Sequence, residues 1–238
     1  MGNFCGTCGS KLEEPVATVK KRASAGQAEP NIQLENIKKK SKQYRAYFMQ
    51  QLKNPSRAFE QGEKDFSNSL LSILLFAIVY TVSLFLVVNR NYFGESLGFF
   101  SFFVQIMLLI FLLFVISVFS LYIANNFFGS PNSLKAIISF YGGQLSPVVV
   151  GVGISFLLMV IQSFTYGQIV LIVSFIFALF VLPLYLVSFL ATKKAPGLDP
   201  LYGFILYILV FVLLFLILVT ILADTMLGSY LDRMIYLL

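Results

Sequence analysis

Residues 201–223, LYGFILYILVFVLLFLILVTILA, carry no formal charge, and their only polar side chains are two tyrosines and one threonine. One α-helix needs about 20 such residues to cross roughly 30 Å of hydrocarbon, so this stretch is long enough to span a bilayer. It is apolar on every face. A barrel strand alternates apolar and polar residues over about ten positions, so a helix, which satisfies its own backbone hydrogen bonds, is the structure this stretch predicts.

The same character recurs upstream. Between Lys135 and Lys193 lie 57 consecutive uncharged residues, room for two more spans. The whole chain of 238 residues is 58% hydrophobic and only 12% charged, with 26 phenylalanines, which marks an integral membrane protein. Charge gaps and turn residues predict five transmembrane helices at about 69–89, 98–125, 136–162, 167–191 and 201–223. The breaks between them are the cluster Asn89, Arg90, Asn91, the run NNFFGSPNS, the short link 163–166, expected to close a tight helical hairpin, and the segment TKKAPGLDP. The tail, 224–238, is too short to cross again. The expected fold is all-α: a polytopic membrane protein with a five-helix domain over residues 69–238.

Charge orients the expected bundle. Residues 1–68 hold 12 of the 17 Lys/Arg and 7 of the 11 Asp/Glu, +5 of the net +6. With the N-terminus inside, the inner loops collect those 12 cations plus Lys135, Lys193 and Lys194, whereas Arg90 and Arg233 fall outside. The positive-inside rule therefore predicts a multi-pass membrane protein, N-terminus cytoplasmic and C-terminus outside. The first 30 residues lack the apolar run of a cleavable signal peptide.

Histidine is absent and Cys5 and Cys8 are the only thiols, which argues against His-based catalysis, haem ligation and a disulfide scaffold. Cys5 and Cys8 form a C-x-x-C in which each cysteine is followed by a glycine, Gly6 and Gly9, spacing that lets two thiolates approach one tetrahedral zinc. FCGTCGSKL resembles the first knuckle of the small zinc ribbons that head many bacterial membrane proteins. No second C-x-x-C follows, so residues 1–12 make half a ribbon, with two of four ligands. Three readings stay open: a ribbon that no longer binds metal, zinc shared between two chains, and a redox dithiol. Residues 13–31 read as a disordered linker.

Residues 32–68 form a basic segment expected on the cytoplasmic side. In IQLENIKKKSKQYRAYFMQQLKNP, Ile37, Tyr44, Phe48 and Leu52 recur at helical spacing, while Lys38, Lys39, Lys40, Lys42 and Arg45 supply a cationic side. Such a helix beside a membrane is suited to anionic headgroups, each cation near the surface contributing about 1 kcal/mol. A solvated charged helix is the other reading, and a nucleic-acid partner is not expected.

Within the predicted spans no ionisable residue lies at membrane depth, and no nucleophile with a base, paired carboxylates or phosphate loop occurs, so an enzyme is not expected. The third span is broken by polar and small residues. Gly142, Gly143, Gln144 and Pro147 interrupt it, with Gly151 and Gly153 beyond. Small residues permit close helix approach and a proline frees a carbonyl that Gln144 or Ser146 could help satisfy, which predicts a kinked, tightly packed helix. Packing alone and a lipid or small-ligand crevice are both open for these six positions. Pro183 predicts a kink in the fourth span.

The segment NPSRAF before the first span, five spans, and FFGS leading through Lys135 into FYGGQLSP together resemble the bacterial branch of the Yip1 family, over residues 54–238. Phe140, Tyr141, Gly142, Gly143 and Pro147 stand where that family opens its third span. The resemblance implies fold and topology, a bacterial cell-membrane location, and a non-enzymatic membrane organiser or adaptor that contacts lipid headgroups and either membrane-protein partners or a second copy of itself. A small permease or lipid-translocating protein, and a zinc or redox sensor through Cys5 and Cys8, are the alternatives.

Overall fold

A computed structural model of the chain describes residues 32–91, 98–130, 132–191 and 199–223, and among these no residue is in a strand. Contacts divide the chain into two units, Met1–Lys40 and Ser41–Leu238. Of the first, the described part is the opening of helix α1, Ile32–Lys53, which runs across the boundary.

In the second unit α1 stops at Asn54 before Pro55, which cannot supply an interior N–H. A 3-10 turn, Pro55–Arg57, a short helix α2, Ala58–Gln61, and a second 3-10 turn, Gly62–Asp65, lead into α3, Phe66–Asn91. Helix α4 covers Phe99–Phe128. Then come α5, Leu134–Gln144, and α6, Ser146–Val160, meeting at a 44° bend. Helix α7, Phe164–Ile176, passes through a π-helical turn, Phe177–Val181, into α8, Leu182–Ala191. The last described helix is α9, Pro200–Ala223.

Four of these helical stretches are long and apolar enough to cross a membrane, or five if the bent pair of α5 and α6 is one span. The chain is therefore membrane-embedded. The stretch read as one span at 136–162 is two helices. The break falls at Leu145, and Pro147 sits in the first turn of α6, where no intrahelical N–H is needed, so it starts a helix instead of kinking one. The unit that holds the spans also begins well before residue 69, because residues 41–68 pack onto it.

The core is mostly aliphatic, and buried aromatic rings link its central helices. Phe76 of α3 meets Phe114 of α4 edge-on at 5.4 Å, and Phe114 meets Tyr141 of α5 edge-on at 5.5 Å. Such geometry sets the positive ring edge against the negative face. Helices α6 and α7 form the expected hairpin, with its turn at Ile161 to Ser163. Gln162 N–H donates to the Met159 carbonyl and Ser163 N–H to that of Leu158, while Gln162 takes φ +67°. That is a Schellman end, with a glutamine where glycine is usual.

Candidate functional site

The sequence FYGGQLSP occupies the end of α5, the break and the start of α6. Its first four residues each meet a different neighbour. Phe140 packs on Phe59 at 5.3 Å, and Phe59 stacks on Phe189 at 3.6 Å, so the NPSRAF segment joins α5 to α8. A Cβ on Gly142 would lie 2.6 Å from the Ser69 Cβ and 2.7 Å from the Ser69 carbonyl carbon, so α3 and α5 cross here at backbone contact. A Cβ on Gly143 would lie 2.7 Å from the Ala58 Cβ and 3.3 Å from the Tyr47 hydroxyl.

Tyr141 makes the bond that the sequence hides. Its hydroxyl donates to the Ala178 carbonyl at 2.6 Å. In a π-helical turn a carbonyl expects the N–H five residues on, which for Ala178 is Pro183. Proline has none, and the Leu182 N–H is taken by the Phe177 carbonyl. The phenol of α5 thus satisfies the one carbonyl that Pro183 orphans. Pro183 read as a kink; the structure places a π turn before it, which moves the backbone past the ring.

A hydroxyl relay ties α1 to the same place. Ser69 Oγ donates to the Ser139 carbonyl at 2.9 Å, so the Tyr47 hydroxyl is the donor in its 2.8 Å bond to Ser69. Ser72 donates to the Asn68 carbonyl, and Tyr44 in turn donates to Ser72 at 3.2 Å. Burial pushes the Tyr47 phenol up to about 12 and raises that of Tyr44. Both therefore stay protonated donors at neutral pH. The aromatic face expected to rest on lipid is, from Tyr44 to Gln51, against protein, whereas Ile37 is exposed.

The other predicted residues fall as follows. Lys38, Lys39 and Lys40 lie in the first unit and are exposed; Lys42 and Arg45 lie in the second and are exposed. A Cβ on Gly151 would meet the Ser174 hydroxyl at 2.8 Å, so α6 and α7 are close, whereas one on Gly153 would meet nothing within 4 Å. Pro147 is exposed. Cys5, Cys8, Lys193, Lys194 and Arg233 lie outside the described residues.

Gln144 is buried at 3% exposure, and neither its amide nitrogen nor its oxygen has a hydrogen-bond partner. Ser146 Oγ, Ser139 Oγ and Gln51 Oε1 are buried and unpartnered as well. Gln144 and Ser146 therefore do not satisfy a freed carbonyl. Each such group costs about 1–3 kcal/mol, so a break with several is suited to a small polar guest that accepts and donates hydrogen bonds. It holds no acid, base or thiol, and among the described residues no group of three metal-ligating side chains occurs.

Sequence reasoning missed Ser69, Ser72, Ser139 and Ala178. Serine in an apolar helix carries little signal about its partner, but Pro183 with a tyrosine in the facing span was a usable one.

No curated protein and no solved structure matches the chain. The described family that does match covers residues 35–233, from within α1 to beyond α9. By that match over most of its length, the protein belongs to the family described as Domain of unknown function (DUF6574).

Proposed function

We propose that the protein is a non-enzymatic membrane organiser of the Yip1 type with five spans, the bent pair of α5 and α6 being the third, and with its N-terminus cytoplasmic. It holds anionic headgroups through α1 and engages membrane partners or a second copy through the bundle. One observation supports this most: Tyr44 and Tyr47 fasten α1 to α3 while Lys42 and Arg45 remain exposed. A helix pinned by its aromatic side keeps its cations available to phosphate at little further entropic cost.

The test uses full-length protein in nanodiscs of phosphatidylcholine with and without phosphatidylglycerol. Hydrogen exchange over α1 should slow in the anionic discs. Replacing Lys38, Lys39, Lys40, Lys42 and Arg45 together by Gln should remove that difference, and equal exchange for native protein in both discs refutes the headgroup role.

A second reading, a small permease or lipid-translocating protein, is favoured by the unpartnered Gln144 and Ser146 at the break. In proteoliposomes, Gly143→Leu or Pro147→Ala should then change lipid scrambling or solute leak, and the cationic substitutions should not.

A further inference from the structure

Where α3 ends and the α6–α7 hairpin turns, the surface holds a cavity of about 310 Å³. Its lining is built around one cation. Arg90 comes from the last turn of α3, Gln162 and Ser163 from the hairpin, and Thr165 and Gln168 from the first turns of α7; no carboxylate lines it among the described residues. The Arg90 guanidinium carbon lies 4.0 Å from the centroid of the Phe164 ring. Stacking fixes the plane of the fork and leaves its edge donors free.

Three further features narrow the ligand. The hydrophobic stretch of α3 finishes at Arg90, so the cavity sits at the edge of the apolar slab, at the level of headgroups. Ser163 does not cap α7 with its side chain, which leaves its hydroxyl for the cavity. Beside the apolar Val87 and Phe164, the neutral polar lining groups are hydroxyls and amides, which donate to anionic oxygens without opposing their charge.

We propose that this cavity binds a phosphate anion, either the phosphodiester of a lipid headgroup or free phosphate, through the Arg90 fork and the Ser163 and Thr165 hydroxyls. The cations of α1 play no part in it.

The experiment uses the full chain. In one arm, nanodiscs of mixed phosphatidylglycerol and phosphatidylcholine are examined by native mass spectrometry for the lipid retained on the protein. In the other, inorganic phosphate is titrated calorimetrically onto protein in detergent. Native protein should retain phosphatidylglycerol over phosphatidylcholine or bind inorganic phosphate, and the arm that responds identifies the source. Arg90→Gln should weaken that binding by about tenfold or more, the loss of a hydrogen bond to a charged group. Arg90→Lys should recover part of it, because the charge remains without the fork. Should Arg90→Gln fail to fold, the double variant Thr165→Val/Gln168→Leu, which keeps the cation, should also weaken binding. Lys42→Gln/Arg45→Gln should leave it unchanged, which separates this site from α1. Binding in neither arm, or binding equal to native in both Arg90→Gln and the double variant, overturns the proposal.

Discussion

Helices α5 and α9 are opposites. Helix α5 has only 11 residues, with two glycines, a lysine, a serine, a tyrosine and a glutamine, yet eight of its residues are buried. Helix α9 has 24 residues and is apolar almost throughout, but among its described side chains it is buried only at Gly203, Tyr207, Phe211 and Leu218. In water the more hydrophobic helix would be the inner one. In a bilayer, lipid is as apolar as leucine, so apolarity does not drive a helix inward. Close backbone approach and hydrogen bonding do, and these need small and polar residues.

The contrast can be broken at its strongest point first. Gly142→Leu should destabilise the protein by about 3 kcal/mol or prevent folding, because its side chain would enter the Ser69 backbone. Thermal unfolding followed by circular dichroism in detergent reads this. A native-like melting curve would remove α5 from the centre of the account.

Tyr141→Phe keeps the ring and removes the donor to Ala178, which should cost about 1–3 kcal/mol. Pro183→Ala restores an N–H near that carbonyl, so in a double-mutant cycle it should offset part of the loss. Strict additivity would show that the two residues do not serve one carbonyl.

The tie between α1 and the bundle is sensitive to alkali. Because the folded-state phenol of Tyr47 is raised to about 12, above its ordinary value, docking is fully stabilised below about pH 10. It is lost as pH rises through the folded value. Amide exchange of α1 should therefore accelerate between about pH 10 and 12, after correction for intrinsic exchange. Tyr47→Phe should show a weaker dock with a flatter profile.

Two small effects sharpen the comparison. Gln162→Gly should stabilise the hairpin by up to about 1 kcal/mol, since glycine takes positive φ without the Cβ penalty. Leu213→Ala, on the exposed side of α9, should shift stability by no more than about 0.5 kcal/mol. A large loss there would mean that another protein surface, not lipid, covers α9.

Much of the outline is legible in the amino-acid sequence. Composition and uncharged runs predict membrane helices, and TKKAPGLDP and NNFFGSPNS mark where helices stop. The hairpin came from a link too short for anything else, though its turn lies earlier than 163–166. The broken stretch was visible as Gly142, Gly143, Gln144 and Pro147, and the 44° bend between α5 and α6 falls there, but that the helix ends outright at Leu145, with Pro147 in the first turn of α6, was not. A proline starts helices as readily as it bends them, and spacing alone does not distinguish the two. The amphipathic pattern of α1 was equally ambiguous, because an aromatic stripe fits a membrane surface and a protein surface alike.

What the sequence by itself determined is the class of structure, since transfer of an uncharged 20-residue run into hydrocarbon depends on composition and length and not on neighbours. What only the tertiary structure decided is which residues meet: that Tyr141 answers the carbonyl orphaned by Pro183, that Ser69 lies under Gly142, that Gln144 is buried with no partner, and that Arg90 stacks on Phe164. The contacts among them join residues 37 to 74 positions apart in the chain. They are set by the packing of whole helices, and no local pattern encodes them.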